Sequence, residues 1–238
     1  MTEAKFKQPI GEPILPILQD KTVVLIATGP SINDEQIRQV FKAKQGGRVS
    51  VMTVNNAYQK APWTDVHIAC NDDWWNYYWP RSAILREMGC PKYTWYRSLA
   101  DKYGIQYVKA IVKDGLSTDP RIVHINHGSG PMAINLAVHL GVKRLLLIGH
   151  DMKFAPNYNG RQQKIGSSKR HFFGEYPKEL QHWPSVKVGK TKPGALDGLI
   201  ESYDRMVPDL KKIGMKVINC TPNSVLTSFS TSTLEKEL

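Results

Sequence analysis

The chain has 238 residues, of which 41% are hydrophobic and 22% are charged, and these proportions are ordinary for a globular protein. No apolar run approaches the roughly 20 residues that a membrane-spanning helix needs, so we expect no transmembrane segment. Thirty-two Lys and Arg against 21 Asp and Glu give a formal net charge of +11, which favours polyanionic partners or, equally, a solvated basic surface.

The first residues and the cysteines predict a cytoplasmic protein. The opening stretch "MTEAKFKQPIGEP" lacks the apolar core of a signal peptide. The cysteines, Cys70, Cys90 and Cys220, form no CxxC pair, which fits a reduced compartment. We expect residues 1–20 to form an extended N-terminal arm, because prolines recur in them.

The following part of the chain alternates between apolar runs and helical patterns. Runs rich in Val, Ile and Leu predict strands buried on both faces at 22–27, 48–54, 66–70, 121–125, 144–149 and 216–220. Helical patterns lie between them at 33–44, 80–89, 96–103, 130–140 and 197–213. This alternation predicts a three-layer α/β fold with a mainly parallel sheet.

Residues 152–195 interrupt the alternation. They contain four prolines, several glycines and aromatic residues, but no credible long helix or strand. A stretch of this length within a compact domain is typical of a lid over a site. We therefore predict a main domain of residues 21–151 and 196–238, with 152–195 as a lid-like insertion.

Small and polar residues follow the predicted strands. Parallel strands end at one edge of a sheet, and ligands bind beyond that edge in such folds. The residues at these ends are Thr28-Gly29-Pro30-Ser31, Asn55-Asn56, Asn71-Asp72-Asp73, Ser129-Gly130, His150-Asp151 and Asn223-Ser224. They predict a ligand site of amides, hydroxyls and glycines.

Several of these residues suit a nucleotide. Gly29 and Gly130 would let backbone N–H groups approach a ligand closely. A helix that begins at Ser129 points free N–H groups at the site, which favours a phosphate or carboxylate. Asn55 and Asn71 can pair with a base edge or with sugar hydroxyls. Taken singly, each residue also has a structural explanation: Ser129 as an N-cap, the asparagines in turns and Gly29 as the end of a strand.

The known nucleotide motifs are absent from this edge. The chain has neither the Gly-x-Gly-x-x-Gly of dinucleotide enzymes nor a phosphate loop with Gly-Lys-Ser. Their absence argues against binding of NAD and against hydrolysis of ATP.

Three blocks resemble the bacterial lipooligosaccharide sialyltransferases: "IATGPSI" (26–32), "GSGPMAINLAVHLGVKRLLLIGHDM" (128–152) and "NCTPNSVLTSF" (219–229). Those enzymes carry a Gly-Pro-Ser turn, a Ser-Gly helix leading to a strand that ends Gly-x-Asp, and a Cys-x-Pro-Asn-Ser segment in the same order. The chain is also similar to the motility accessory factors that glycosylate flagellin and to archaeal pterin pyrophosphokinases. The resemblance implies a Rossmann-like nucleotide-binding domain, an insertion that binds the acceptor, and glycosyl transfer from a CMP-linked sugar.

The resemblance also implies roles for the residues at the strand ends. Gly29 and Ser31 would meet the donor nucleotide and its phosphate, and Asp151 would hold the ribose or orient the site. The residues implied to bind the donor are Gly29, Pro30, Ser31, Asn55, Asn71, Asp72, Ser129, Gly130, Asp151, Tyr158, Asn223 and Ser224.

The chain differs from those sialyltransferases at the positions of their catalytic residues. Lys153, with Tyr158 further on, stands where they have tyrosines that hold the leaving phosphate. Their catalytic histidine aligns with Glu175, and His171 lies four residues earlier, so either residue is the candidate general base. No metal or other cofactor is required if Lys153 and the helix start at Ser129 stabilise the leaving group.

Two other functions stay open. A pyrophosphokinase of the pterin type would use Mg-ATP, with Asp72, Asp73 and Asp151 as ligands of Mg²⁺. A non-catalytic protein that binds nucleotides or single-stranded nucleic acid would stack bases on the aromatic residues of "DDWWNYYWPR" (72–81), which otherwise form core or a wall of the acceptor pocket. The basic charge also suggests DNA as an acceptor, as for some phage enzymes that modify DNA. The oligomeric state is left open.

Overall fold

The computed structural model describes residues 11–125, 128–153, 171–180 and 196–238. Its strands are β1 (Thr22–Ile26), β2 (Ser50–Val54), β3 (Val66–Ile68), β4 (Lys92–Thr94), β5 (Gln106–Tyr107), β6 (Lys109–Val112), β7 (Ile122–Ile125), β8 (Arg144–Ile148), β9 (Lys216–Asn219) and β10 (Ser230–Thr231). Its α-helices are α1 (Asp34–Gln45), α2 (Asp72–Arg81), α3 (Ala83–Glu87), α4 (Arg97–Tyr103), α5 (Ser129–His139), α6 (Asp197–Asp204), α7 (Val207–Ile213) and α8 (Leu234–Glu237). Short 3₁₀ turns cover Asn55–Gln59 and Lys178–Leu180.

The main sheet has eight strands in the order β10-β9-β8-β1-β2-β3-β4-β5, all paired in parallel. The chain runs outward from β1 to β5 and then returns to the other side of β1 with β8, β9 and β10. The strand order therefore reverses between β1 and β8, and parallel α/β sheets bind ligands at such a reversal. The predicted α/β fold with a mainly parallel sheet is confirmed.

Helices cover both faces of this sheet. Val23 and Leu25 of β1 belong to the same core cluster as the apolar residues of α5, whereas Val24 and Ile26 pack in the cluster that contains α1. Because both faces of β1 are buried, its sequence is a continuous apolar run rather than an alternating one. The result is the three-layer arrangement that the sequence predicts.

The predicted strand at 121–125 does not join the main sheet. Instead β7 pairs with β6 in a separate two-stranded sheet beside α5. The side-chain oxygen of Asn135 in α5 accepts the backbone N–H groups of Ser117 and His124 at 3.0 and 2.7 Å. An apolar run indicates a strand but not its neighbours, so the sequence could not assign this strand to a sheet.

Two helical predictions also differ from the structure. The helix expected at 80–89 is two helices, α2 and α3, and α2 includes the whole aromatic stretch at 72–81. The helix expected at 197–213 divides into α6 and α7, because Pro208 is tolerated in the first turn of a helix but not in its interior.

Candidate functional site

Asp151 and Ser31 join the ends of β8 and β1, where the strand order reverses. The Asp151 carboxylate accepts hydrogen bonds from the Ser31 hydroxyl at 2.8 Å and from the Ser31 backbone N–H at 3.2 Å. Asp151 is only 5% exposed. Two residues predicted to bind the nucleotide are thus in direct contact at the edge where this kind of sheet binds ligands.

Opposing effects of its surroundings shift the pKa of the Asp151 carboxyl. Burial raises the pKa of the Asp151 carboxyl, while the hydrogen bonds from Ser31 and the positive charge of Lys153 lower it. Lys153 itself is half-buried. This edge of the sheet therefore places a cation near a buried carboxylate that can accept hydrogen bonds from hydroxyl groups.

The two glycines at this edge are explained by contacts within the protein. A Cβ atom added to Gly29 would lie 1.9 Å from Asp151 Oδ2 and 2.5 Å from the carbonyl oxygen of Gly149. A Cβ atom added to Gly130 would lie 1.9 Å from the Tyr203 hydroxyl. The sequence pattern suggested room for a ligand at these α-carbons, but side chains and backbone of the chain itself occupy that space.

Asn55 connects the end of β2 to the start of α5. Its φ of 49° lies in the left-handed region, which asparagine tolerates better than most residues. The Ser129 hydroxyl donates to Asn55 Oδ1 at 3.4 Å. Ser129 is the first residue of α5 and Gly128 is its N-cap, so the alternative of Ser129 as a simple N-cap is wrong. The N-terminus of α5 therefore opens beside an amide at the strand-end edge.

The remaining residues that were predicted to bind the nucleotide donor lie on the two sides of this edge. Asn71 is the N-cap of α2 and Asp72 is the first residue of that helix. On the other side, the Ser224 hydroxyl donates to the carbonyl oxygen of His150 at 2.6 Å. Asn223 is exposed and left-handed, with a φ of 54°. Ser224 thus supports the backbone next to Asp151, while Asn223 lies at the surface.

Residues 171–180 bring part of the insertion onto the same edge. His171 Nδ1 lies 3.0 Å from Thr28 Oγ1, and the Phe172 backbone N–H donates to the Thr28 carbonyl oxygen at 3.1 Å. His171 and Gly174 close a tight turn through reciprocal backbone hydrogen bonds of 3.2 and 3.0 Å. His171 therefore lies beside the turn at Thr28–Ser31, and Ser31 in that turn bonds to Asp151.

Aromatic packing anchors this segment. Tyr176 and Leu180 are buried in one cluster with Trp74 and Trp75 of α2. Burial raises the pKa of the Tyr176 hydroxyl far above its ordinary range; the nearby Tyr78 hydroxyl raises it further, while the side chain of Asn55 lowers it. Tyr176 thus lies near Asn55, which follows β2.

The predictions for the reaction also include Glu175 and Tyr158. Glu175 follows the His171–Gly174 turn and is exposed. Tyr158 lies outside the described residues.

Three features of this edge do not follow from the sequence: the contact of Thr28 with His171, the position of Tyr176 near Asn55, and the burial of the His150 ring. The His150 ring is fully buried, its Nε2 has no hydrogen-bond partner among the described residues, and burial lowers its pKa to about 4. Thr28 and His150 stand within motifs that the sequence pattern selects, but nothing local in the sequence indicates which distant residue each of them contacts.

The aromatic stretch of α2 is mainly core. Trp74 and Trp75 have no exposed surface, so the interpretation that they stack bases is wrong. Their indole N–H groups donate to Asn56 Oδ1 at 2.6 Å and to the Ala69 carbonyl oxygen at 3.0 Å. The stretch is a wall against which the insertion packs, because buried indoles need both apolar contacts and a hydrogen-bond acceptor.

Within residues 11–125, 128–153, 171–180 and 196–238, no three His, Cys, Asp or Glu side chains lie close enough together to hold a metal ion. No helix in that part of the chain is long and apolar enough to cross a membrane.

The fold is similar to that of the solved MAf glycosyltransferase from Magnetospirillum magneticum AMB-1. The TM-score is 0.55, and the match covers 94% of this chain at 13% sequence identity. The chain spans about a third of that protein, since the match covers 36% of its length. At this identity the likeness establishes a shared fold. No known protein family and no curated protein matches the sequence.

Proposed function

We propose that this chain is a glycosyltransferase that moves a sugar from a nucleotide-activated donor to a hydroxyl or amine acceptor. One observation carries the proposal: His171 lies 3.0 Å from Thr28, at the strand-end edge that also holds Asp151. A protein that only binds nucleotides has no need of a titratable side chain from an insertion at that place. The shared fold with a glycosyltransferase and the motif resemblance support the same conclusion.

The donor would bind across the ends of β1, β2 and β8. The N-terminus of α5, which has eleven residues, suits the donor phosphate through its free N–H groups and its dipole. Lys153 would add a positive charge to the departing phosphate. Asp151 would hold the ribose, and Asn55 and Asn71 would meet the sugar and base edges of a CMP-type nucleotide.

The reaction breaks one bond and forms another at the anomeric carbon of the sugar. The acceptor O–H or N–H gives its proton to the general base, and the acceptor atom forms the new bond to the anomeric carbon. The bond from that carbon to the phosphate oxygen breaks, and its electron pair leaves with the nucleotide. His171 or Glu175 would be the base, and neither role requires a metal.

A thermal-shift screen of nucleotides and nucleotide sugars, with and without Mg²⁺, tests this function. A ligand that binds only the folded state raises the melting temperature by mass action. We expect stabilisation by CMP or CDP compounds in EDTA, followed by release of the free nucleotide from the matching sugar donor when an acceptor is present. Stabilisation by Mg-ATP alone would assign the site to a pyrophosphokinase. If no compound raises the melting temperature, this edge binds no nucleotide.

We propose DNA as one acceptor to be tested with the donor that the screen identifies. The formal net charge of +11 supports a polyanionic acceptor. Transfer of labelled sugar to plain or hydroxymethylated DNA, with weaker binding at high salt, is the expected result. Turnover with small hydroxyl acceptors and no labelling of any DNA would remove this acceptor and leave the glycosyltransferase in place.

A further inference from the structure

We infer that Thr28 is a positioning residue: it accepts a hydrogen bond from His171 Nδ1–H and so presents the Nε2 lone pair of His171 to the proton of the acceptor. This inference rests on the proposed function and assigns the general base to His171 rather than to Glu175.

The contact between Thr28 and His171 has two components. The side chains meet at 3.0 Å between Thr28 Oγ1 and His171 Nδ1. One residue further on, the backbone N–H of Phe172 donates to the Thr28 carbonyl oxygen at 3.1 Å. A side-chain bond next to a backbone bond fixes both the position and the rotation of the histidine relative to the end of β1.

Aromatic neighbours hold the plane of the imidazole ring. The Phe173 ring stacks on it with centroids 4.9 Å apart and an angle of 3° between the planes. The Tyr176 ring meets it edge-on, with centroids 4.9 Å apart and an angle of 71°. The ring is therefore fixed in a single orientation, which is the preorganisation that proton transfer to a positioned base requires.

The direction of the hydrogen bond between Thr28 and His171 is coupled to which ring nitrogen carries the proton. A neutral imidazole has one N–H donor and one acceptor nitrogen, and a threonine hydroxyl can fill either role. If Thr28 accepts from Nδ1–H, the lone pair is on Nε2. If Thr28 donates to Nδ1, then Nε2 carries the proton and cannot take another from the acceptor. Only the first arrangement makes His171 a general base through Nε2.

Glu175 is the other candidate for the general base. It follows the turn closed by His171 and Gly174, and its side chain is exposed to solvent. The imidazole of a histidine can accept a proton near neutral pH without any shift of its ordinary pKa of about 6.5. In the transfer step, the acceptor proton moves to His171 Nε2 as the acceptor atom bonds to the anomeric carbon and the nucleotide departs.

The test compares Thr28→Val, which removes the hydroxyl at constant shape, with Thr28→Ser, which keeps it. We expect Thr28→Val to lower kcat at least about tenfold with little change in the KM for the donor, and Thr28→Ser to restore most of the rate. The acidic limb of the pH–rate profile of Thr28→Val should move to lower pH, because the imidazolium form loses its acceptor. A role in folding alone would lower the melting temperature without moving this limb.

The chain contains a matched control. Thr53 Oγ1 and His67 Nδ1 also lie 3.0 Å apart, but inside the core. Thr53→Val should lower the melting temperature and leave the pH–rate profile unchanged. If Thr28→Val has the kcat and the profile of the unmodified protein, the inference is overturned. Full activity in His171→Gln with loss of activity in Glu175→Gln would overturn it as well.

A second measurement does not depend on turnover. Long-range ¹H–¹⁵N NMR spectra distinguish the two neutral tautomers of histidine, and the His171 signals are those missing from His171→Gln. The inference is supported if His171 is the Nδ1–H tautomer in the unmodified protein and loses this preference in Thr28→Val. It is contradicted if His171 is the Nε2–H tautomer in the unmodified protein. If no donor is turned over, the glycosyltransferase proposal fails, while this spectrum still decides how Thr28 and His171 are bonded.

Discussion

The ionised carboxylate of Asp151 lowers the free energy of unfolding, because it is buried. It is almost fully buried, and that burial is the largest cause of its raised pKa. Because the folded state disfavours the ionised form, the cost is present above the folded pKa and is relieved as the pH falls through that value. The proposed role of Asp151 in binding the donor would explain why a carboxylate is kept at this position.

Replacing Asp151 by Asn should therefore separate stability from binding. The amide can accept the Ser31 N–H and donate to the Ser31 hydroxyl, so the melting temperature should stay equal or rise. Nucleotide affinity should fall at least about tenfold, which is about 1.4 kcal/mol. Thermal unfolding and a nucleotide titration measure the two effects.

The control for this variant is Asp209→Asn. The Asp209 carboxylate also accepts a backbone N–H, that of Leu116 at 2.9 Å, but outside the strand-end edge. This variant should retain nucleotide affinity. Unchanged affinity in Asp151→Asn would remove Asp151 from the donor site.

The segment of residues 171–180 depends on a few side chains for its attachment to the sheet. Leu180 is 2% exposed and packs in the cluster that contains Trp74 and Trp75. At the other end of the segment, His171 bonds to Thr28. The position of the candidate base therefore depends on contacts made about nine residues away along the chain, at the wall formed by α2.

Leu180→Ala should loosen the segment. Truncating a buried leucine costs about 2–5 kcal/mol, and here the loss falls on a local unit that can open without global unfolding. We expect faster proteolytic cleavage within 171–180 and a lower kcat. Ile84→Ala in α3, where the side chain is 51% exposed, is the control and should change neither. Equal cleavage rates in Leu180→Ala and in the unmodified protein would contradict the anchoring role.

The molecule as a whole buries the side chains of two histidines, His67 in β3 and His150 after β8. His67 and His150 have no exposed surface, and burial lowers their pKa values to about 3 and about 4. In the unfolded chain both would take up a proton near pH 6.5. Their contribution to stability is thus complete above pH 6.5 and is lost progressively as the pH falls toward the folded values.

The protein should therefore be sensitive to mild acid. Between pH 7.5 and pH 5 each of these two histidines should remove about 2 kcal/mol from the free energy of unfolding. Urea unfolding at the two pH values measures this loss, and His150→Gln should show a smaller difference. Equal midpoints at both pH values would mean that the two rings are not held neutral.

Much of the fold follows from local patterns. The apolar runs locate β1, β2, β3, β8 and β9, because strands buried on both faces must be apolar along their length. The start of α1 is equally local: Asn33 accepts the backbone N–H of Gln36 at 2.9 Å, and the Gln36 side chain accepts the Asn33 N–H at 3.2 Å. The short strands β4, β5 and β10 were not predicted, since two or three residues carry too little periodicity.

The amino-acid sequence specifies which residues stand at the ends of the strands, because that depends only on where each apolar run stops. It does not specify their partners. Ser31 and Asp151 are 120 residues apart and meet because β8 lies beside β1. Thr28 and His171 are 143 residues apart and meet because residues 171 and 172 contact the end of β1. The order of strands results from the packing of the whole chain, so the pairing that makes a candidate site from these residues is a property of the tertiary structure alone.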